Sequence, residues 1–482
     1  MSESGRQHYG LTLAVLTVAA SAFAVQQTLV FPALPTIQRE FDVSAVWATW
    51  VLTAFLLSAA VLTPILGKLG DQHGKERLLV VVLVLFLAGS IGAAFAPNIW
   101  LLIAARTVAG AGGAVFPLSF GIIRDEFPPE RVKVGIGLLS AVFGIGGGLG
   151  IVASGVIVDH LSWRWLFVIG AVPVAAVIPL VHRFVPESPV RNPARLDLPG
   201  ALLLSGSLIS LLLGLTMGAE WGWTSARVLG LGFCALMLGV AFVLIELASD
   251  HPMVDMRLMA RRSVAIPNLT ALISGFAMFG TFVLVPQFVE MPHDLPAGTS
   301  RLVDYGFDAS ATQAGLYLLP SSLVMLFAGP LAGVLGRRFG SKWPLAIGMA
   351  VMALAAGWLA QLHDEPWQIL VAMVALGLGV AFSFASMAAL VTEAVPATET
   401  GVATGMNTVM RTVGGVVGGQ IGAALLTAST IPGTAVPTES AFALAFALAG
   451  VAAAIGAIAA VFVTPLSPRR RRQRATLALE PE

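Results

Sequence analysis

Charged side chains are scarce in this sequence. Asp, Glu, Lys and Arg together make up 11% of its 482 residues, whereas hydrophobic residues make up 57%. A water-soluble globular domain carries about 25% charged residues, so this composition excludes one and predicts an integral membrane protein. The single cysteine, Cys234, lies inside an apolar run, which excludes a disulfide framework and a cysteine metal site.

Enzyme motifs are also absent from the sequence. No G-x-x-x-x-G-K-S/T phosphate loop occurs, which excludes ATP as the direct energy source. The 7 histidines fall in loops or at the ends of apolar runs, without a metal-ligand spacing such as H-E-x-x-H. We therefore expect no enzymatic activity, no cofactor and no bound metal.

Apolar runs dominate what is present, and about fourteen of them have the roughly twenty residues that a helix needs to cross a bilayer. They lie near residues 11–34, 47–66, 78–96, 99–122, 134–158, 164–185, 199–218, 228–248, 264–289, 313–335, 344–361, 367–391, 402–427 and 440–463. The sequence therefore predicts an all-α membrane protein with an even number of spans.

The basic residues predict its orientation, because Lys and Arg are enriched in cytoplasmic loops. Of the 27 Lys and Arg, 21 fall on the side of the two termini, and Arg106 and Arg411 lie within spans. The exceptions in loops are Arg39, Arg164, Arg227 and Arg301. We therefore expect a plasma or inner membrane protein with both termini in the cytoplasm.

A short charged run, Gly67–Arg77, joins the second and third apolar runs. Gly67 permits close helix contact, Asp71 lies where a carboxylate faces the positive N-terminus of a neighbouring helix, and Gly74 lets the chain reverse. The glycine and basic spacing recurs at Gly333–Lys342, with Arg337 in the place of Asp71. An internal repeat of this kind is typical of transporters built from two halves.

The run Gly67–Arg77 resembles the signature loop of major facilitator superfamily transporters, G-x-L-a-D-r-x-G-r-k, with Gln72 in the usual arginine position. The resemblance implies two six-helix halves around a central cavity, plus two extra inserted helices. The expected division is an N-terminal half at 1–185, a linker at 186–198, the inserted helices at 199–248, a C-terminal half at 249–463 and a basic tail at 464–482.

About fourteen spans of this layout resemble the drug:proton antiporter branch of the superfamily. That resemblance implies export of amphipathic drugs or antibiotics by alternating access, driven by proton entry. Alternatives are a specific metabolite exporter or importer, a facilitated-diffusion carrier without proton coupling, and a transporter-like membrane receptor. The expected partners are small amphipathic substrates, protons and anionic lipid headgroups at Arg469 to Arg474, with no nucleic acid, and the protein is expected to be a monomer.

Arg106 lies about seven residues into an apolar run, where a guanidinium is costly unless it faces a cavity or a partner. The segment Arg106–Gly113 resembles the family's fourth-span pattern R-x-x-q-G-x-g, with Ala109 in place of the polar residue. The resemblance implies proton coupling and substrate contact. The alternative is that Arg106 only bridges backbone carbonyls between helices.

Further cavity residues follow from the first and thirteenth spans. Gln26–Pro35 resembles the drug antiporter run l-D-x-T-v-v-x-x-A-l-P, with Gln26 in the aspartate position, so Gln26 and Gln27 are expected to line the cavity or to bond between helices. Arg411, within a run similar to the family's thirteenth span, lines the cavity or snorkels. Other expected pocket residues, each with packing as its alternative, are Trp50, Phe116, Phe143, Gln287, Tyr317, Met406 and Asn407.

A conformational switch is expected at the cytoplasmic side. The resemblance implies that Asp71, Arg77 and Asp125 form a charge cluster that holds the outward-open state. Gly146 and Gly150 resemble the antiporter signature g-x-x-x-G-P-x-x-G-G, with Ile151 in the proline place, and generic helix packing is the alternative.

Carboxylates are missing from the middle of the apolar runs, where proton-driven antiporters usually carry one. Each of the 26 Asp and Glu lies in a loop, a tail or near the end of a span. A proton is therefore expected to bind at a rim, at Asp125, Glu126 or Glu290. Alternatively, Arg106 binds an anionic substrate directly and no proton is involved.

Overall fold

A computed structural model describes residues 9–30, 33–43, 45–188, 197–250, 252–291, 305–431 and 436–464. In these residues no strand forms beyond an isolated bridge between Thr430 and Pro437. The long helices are α1 Tyr9–Thr28, α2 Ala45–His73, α3 Lys75–Ala94, α4 Ile99–Glu126, α5 Pro129–His160, α6 Arg164–Phe184, α7 Leu198–Trp221, α8 Ala226–Ala248, α9 Arg262–Val289, α10 Ala311–Phe339, α11 Lys342–Leu359, α12 Pro366–Ala394, α13 Thr400–Ala428 and α14 Glu439–Val461.

Length and composition make 13 of these helices suitable for crossing a membrane. The remaining long helix, α5, has 32 residues and coincides with the predicted fifth span. The predicted all-α membrane fold with about fourteen helices is therefore confirmed.

Some helix ends differ from the predicted spans. The first helix ends at Thr28 rather than near residue 34, and a short helix, Leu34–Glu40, begins with a proline in its first turn. Pro35 is tolerated there because the N–H groups in the first turn of a helix lack intrahelical partners in any case. In the fourth span the α-helix changes to a 3₁₀-helix at Gly110–Ala114, within the glycine-rich run after Arg106.

Both copies of the repeated loop turn at a glycine with positive φ. Helix α2 continues through the signature run to His73, and α3 begins at Lys75, so the turn is a single glycine, Gly74, with φ of +113°. In the second copy Gly340, with φ of +88°, separates α10 from α11. Only glycine adopts such angles without strain, which explains why both copies carry one there.

Helix contacts in the first part of the chain recur between the helices that lie eight positions later in the helix order. We call α1–α6 the amino-terminal group and α9–α14 the carboxy-terminal group. The contacts of α1 with α5 and of α3 with α6 recur as contacts of α9 with α13 and of α11 with α14. Between the groups, α5 packs against α10 and α2 packs against α13.

Helices α7 and α8 form a pair that we call the inserted hairpin. They pack on each other, and α7 also contacts α2 and α13, so the hairpin lies beside one of the two contacts between the groups. The division of the chain into domains stays a prediction. Residues 189–196 of the expected linker and 465–482 of the expected basic tail, with Arg469 to Arg474, lie outside the described residues.

Glycine contacts hold α5 and α10 close together. A Cβ at Gly137 would lie 2.4 Å from the carbonyl oxygen of Gly329, and a Cβ at Gly329 would lie 2.4 Å from the carbonyl oxygen of Gly137. A Cβ at Gly333 would lie 2.5 Å from the Lys133 carbonyl oxygen. Because these neighbours are backbone atoms, side chains cannot relieve the overlap, and the helices would have to separate.

We therefore expect Gly137→Ala to destabilise the protein by about 1–3 kcal/mol, the usual cost of overpacking. Thermal unfolding of the purified protein in detergent measures the effect. Gly230→Ala in α8 is the matched control, because no atom lies within 4 Å of its Cβ position. Equal midpoints for the two variants would show that the close contact between α5 and α10 contributes nothing to stability.

Candidate functional site

A buried charge cluster lies where α2, α3 and α4 meet. The Lys75 ammonium is 3.3 Å from the Asp71 carboxylate and 2.7 Å from the Asp125 carboxylate, and all three side chains are almost completely buried. Ser188 also donates a hydrogen bond of 2.6 Å to Asp125. Two carboxylates around one ammonium offset much of the cost of burying each charge.

Lys75, not Arg77, is therefore the base of this cluster, and the predicted membership of Arg77 is wrong. Lys75 is the first residue of α3, directly after the Gly74 turn, so it lies beside Asp71 in the last turn of α2. Its stem passes over Gly121, where a Cβ would lie 2.7 Å from the Lys75 Cδ and Cε atoms. Arg77 is 69% exposed and pairs instead with Glu187 at 3.4 Å.

The same cluster contacts the carboxy-terminal group through Asp71. Its two carboxylate oxygens accept hydrogen bonds of 3.2 Å from the backbone N–H groups of Gly401 and Val402, in the first turn of α13. Helix N-termini carry partial positive charge and unpaired N–H groups, so they bind a carboxylate well. Beside it, a Cβ at Gly67 would lie 2.6 Å from the Gly401 carbonyl oxygen, so this close approach requires glycine.

Further contacts join the two groups at this end of the bundle, which we call the signature-loop end. The Arg124 guanidinium donates to the Val395 carbonyl at 2.8 Å and to the Thr400 hydroxyl at 2.6 Å. Lys133 pairs with Glu393 at 2.9 Å. The two groups are therefore held together at the signature-loop end.

Towards the opposite end, a cavity of about 180 Å³ lies between the groups. Helices α1, α2, α7, α9 and α13 line it, and Gln27 is the predicted cavity residue that it includes. Its other lining residues are Thr49, Leu52, Thr53, Leu56, Leu57, Leu212, Thr216, Phe279, Val283, Thr412, Gly415, Val416, Gly419 and Gln420. The lining combines apolar side chains with uncharged hydrogen-bonding groups, which suits amphipathic molecules.

Arg106 lies inside the amino-terminal group and does not line this cavity. Its side chain is fully buried, its Nε donates to the Val51 carbonyl at 3.2 Å, and its Nη2 donates to the Gln26 carbonyl at 3.4 Å. The guanidinium stacks over the Phe55 ring at 3.9 Å. This geometry matches the alternative in which Arg106 bridges backbone carbonyls, yet its Nη1 has no hydrogen-bond partner. A role in transport stays a prediction.

Gln26 is buried beside Arg106. Its Oε1 accepts a hydrogen bond of 3.1 Å from Ser90 in α3, whereas its Nε2 has no partner. Its side chain fits against Gly170 in α6, where a Cβ would lie 2.6 Å from Nε2. The position that holds an aspartate in the resembling antiporters thus carries an amide that bonds between helices.

In the carboxy-terminal group, the predicted residues of α13 are buried as well. Asn407 donates to the Pro267 carbonyl at 3.2 Å and to the Asn268 side chain at 3.0 Å, both in α9. The Arg411 guanidinium stacks over the Phe384 ring of α12 at 4.4 Å. Met406 packs among apolar residues of α2, α7 and α13. These contacts place all three between helices, outside the lining of the cavity.

The remaining predicted pocket residues are dispersed. Trp50 lines a separate groove beside α2, α3 and α4, and Phe116 packs against Phe23 in the amino-terminal core. Tyr317 stacks on Phe307 with ring centroids 5.7 Å apart, and Gln287 is exposed near the end of α9. The side chain of Phe143 lies outside the described residues. The structure therefore does not bring these residues together around the cavity.

The glycines of α5 contact α1. A Cβ at Gly146 would lie 2.3 Å from the Ala24 carbonyl oxygen, and a Cβ at Gly150 would lie 2.2 Å from the Thr28 hydroxyl.

Among the candidates for a proton carrier, Asp125 belongs to the charge cluster, Glu126 is half-buried next to Asp125 in the sequence, and Glu290 is exposed at the end of α9. Their roles in switching and proton coupling stay predictions.

The sequence analysis missed Lys75 in the charge cluster and Arg124 in the contact between the groups. Lys75 was interpreted as a mark of membrane topology, although a basic residue directly after the glycine turn that follows Asp71 is a usable signal. Arg124 precedes Asp125 and was interpreted in the same way. Its partners lie in the segment before α13, more than 270 positions away, so no local pattern indicates them.

Comparisons with known proteins agree with this architecture. The family model described as Major Facilitator Superfamily matches residues 16–303 and 268–481. The Tetracenomycin C resistance and export protein of Streptomyces glaucescens is 26% identical over 396 residues, covering 81% of this chain and 71% of that protein. The Multidrug resistance protein Stp of Mycobacterium tuberculosis is 30% identical over 398 residues, covering 82% and 71%.

A solved structure shares the fold. The crystal structure of the human organic anion transporter MFSD10 (TETRAN) matches with a TM-score of 0.68 and 15% identity, covering 94% of this chain and all of that chain. The family match extends over nearly the whole chain and confirms the resemblance of the signature loop. The chain therefore belongs to the Major Facilitator Superfamily, and it is a multi-pass membrane transporter.

Proposed function

We propose that this transporter exports small amphipathic molecules, including drugs or antibiotics, by alternating access. The observation that carries the proposal is that the two helix groups are closed against each other at one end of the bundle. The two helix groups are joined at the signature-loop end by Asp71, Arg124 and Lys133, while an uncharged cavity lies between them towards the opposite end. If the basic loops make the signature-loop end cytoplasmic, this conformation faces outward.

The size of the cavity supports a second conformation. Small-molecule sites usually have volumes of about 300–1,000 Å³, whereas this cavity measures about 180 Å³. A drug-sized substrate therefore requires the two groups to separate further. The repeated helix packing supplies two similar bodies that can rock against each other around such a site.

Relatives named for multidrug resistance and for tetracenomycin export support efflux as the direction. We extend the proposal to proton-driven antiport in the plasma or inner membrane, with both termini cytoplasmic and Asp125, Glu126 and Glu290 as proton carriers at the rim. Anionic lipids at the basic tail and a monomeric state belong to the same proposal, as do two six-helix domains flanking the inserted hairpin.

A specific observation favours one alternative, transport without a proton. Among the described residues that line the cavity, none is acidic or basic. A neutral cavity binds neutral substrates without protonation, and facilitated diffusion then needs no proton carrier. Arg106, with its unpaired Nη1, is too deeply buried in this conformation to bind an anionic substrate directly.

Export assays in a pump-deficient bacterium test the proposal. Cells that express the protein are expected to tolerate higher concentrations of several antibiotics and to accumulate less of a fluorescent dye than cells with the empty vector. A protonophore is expected to remove the difference. No change in tolerance or accumulation for any compound would contradict efflux, whereas export that persists with the protonophore and in liposomes without a pH gradient would contradict antiport.

A further inference from the structure

Two carboxylates face each other at the base of the inserted hairpin, Glu246 buried and Asp197 half-buried. Asp197 caps the N-terminus of α7, and Glu246 lies in the last turn of α8 with 3% of its surface exposed. The Asp197 Oδ1 accepts a hydrogen bond of 2.9 Å from Gly200, and the Glu246 Oε2 accepts one of 3.1 Å from the Val254 N–H. Each carboxylate therefore keeps one oxygen free.

The free oxygens converge on one point. The Glu246 Oε1 and the Asp197 Oδ2 are both buried, and neither has a hydrogen-bond partner within the described part of the chain. They lie 2.4 Å and 3.0 Å from the position that a Cβ of Gly200 would occupy, so glycine leaves the space between them open. Two like charges in a buried site cannot both remain ionised at low cost, and a shared proton supplies the missing donor.

Among the described residues, no ion pair neutralises either carboxylate. Lys68 of α2 is the nearby cation, and its ammonium donates to the Pro252 carbonyl at 3.0 Å. Glu399, just before α13, lies within electrostatic reach of Lys68, Asp255 and Arg261. In this conformation the Pro252 carbonyl, between α8 and α9, thus holds the Lys68 ammonium, which would otherwise stabilise the ionised form of Glu246.

We propose that Glu246 and Asp197 bind one proton between them and form a proton site of the transporter, coupled to closure at the signature-loop end. This inference rests on the proposed proton-driven export and adds a carrier to the three rim candidates. The segment between α8 and α9 connects the site to the contact between the groups, because Val254 binds Glu246, Pro252 binds Lys68, and Lys68 precedes Asp71 by one helical turn.

The coupling follows from the position of Lys68. When α2 separates from α13, Lys68 moves relative to the linker and becomes available to the ionised carboxylate, so the open state binds the proton less tightly. A proton then leaves the carboxyl oxygen for water at the signature-loop end. A difference in proton affinity between two conformations is what lets a proton bias their equilibrium.

Infrared difference spectroscopy of the purified full-length protein tests the site without any substrate. A pH titration is expected to show the C=O band of a protonated carboxyl group, which disappears in Glu246→Gln and weakens in Asp197→Asn. The matched control is Glu220→Gln, an exposed acid at the other end of the same hairpin, which is expected to leave the band unchanged. Lys68→Gln is expected to shift the midpoint to higher pH, because a cation favours the ionised form.

Transport in liposomes separates this inference from the proposed function. If a pH gradient drives wild-type export, Glu246→Gln is expected to lose that dependence while substrate exchange without a gradient continues. A band that persists in Glu246→Gln, or gradient-driven export at the wild-type rate in that variant, would overturn the proton site. A wild-type protein that shows the band but ignores the gradient would instead overturn proton-driven export and leave the site standing.

Discussion

Asp71→Asn is expected to slow transport by about tenfold or more while leaving membrane insertion and expression intact. The variant keeps the shape of the side chain, but an amide nitrogen cannot accept the N–H of Gly401 or Val402. Hydrogen bonds to a charged group contribute about 1.5–3 kcal/mol each, and 1.4 kcal/mol changes an equilibrium tenfold. The closed signature-loop end should therefore become much less populated.

Asp125→Asn is the matched control for this prediction. Both variants neutralise one of the two carboxylates around Lys75, and each leaves the other carboxylate in place. Asp71 hydrogen-bonds to α13, whereas Asp125 bonds to Lys75 and Ser188. If the lost charge in the cluster slows transport, both variants will slow it. If the lost hydrogen bonds to α13 slow transport, Asp71→Asn will slow it far more strongly.

Spin labels at His73 and Arg338 measure the closure directly. Both side chains are exposed at the signature-loop end, one on each helix group, and Cys234→Ser removes the native thiol. The distance distribution is expected to lengthen in Asp71→Asn and to stay near the wild type in Asp125→Asn. Wild-type turnover together with unchanged distances in Asp71→Asn would contradict a role of this carboxylate in closure.

The sequence predicted the helices well because the bilayer imposes one requirement on all of them. About twenty apolar residues are needed to cross it, and the backbone must satisfy its own hydrogen bonds. The position of Gly74 was predictable for a similar reason, since a reversal within one residue requires positive φ. These features depend on local sequence and on the membrane, not on distant contacts.

The composition of the charge cluster depends on a contact that no local pattern shows. Choosing between Lys75 and Arg77 requires the knowledge that Gly121, on another helix, leaves room for the lysine stem. The hydropathy of a residue does not report such steric constraints.

The surroundings of Arg106 and Glu246 were not predictable either. An arginine inside an apolar span must face a cavity or a partner, and the sequence does not say which. The structure provides partners, two backbone carbonyls and the Phe55 ring, within the amino-terminal group. Glu246 lies near the end of its span, where most glutamates reach water, and only the packing of Asp197 and Gly200 against it reveals its burial.

Arg106 is the position where substitution is expected to have the largest effect. Arg106→Ala should abolish export, because it leaves the carbonyls of Val51 and Gln26 without their donor and removes the charge that stacks on the Phe55 ring. A buried polar group without its partner costs about 1–3 kcal/mol. Arg106→Lys should recover little activity, since an ammonium lacks the planar fork that binds two carbonyls and stacks on a ring.

Thermal unfolding, substrate binding and export, measured together on purified protein and in cells, distinguish a transport role from a bridging role. Phe55→Leu is the control that keeps the guanidinium and both of its hydrogen bonds while removing the stacking. If Arg106 acts in transport through its unpaired Nη1, Arg106→Lys will unfold near the wild-type temperature and still export poorly. If it only bridges helices, export in each variant will fall in proportion to stability. Full export by Arg106→Ala would exclude both roles.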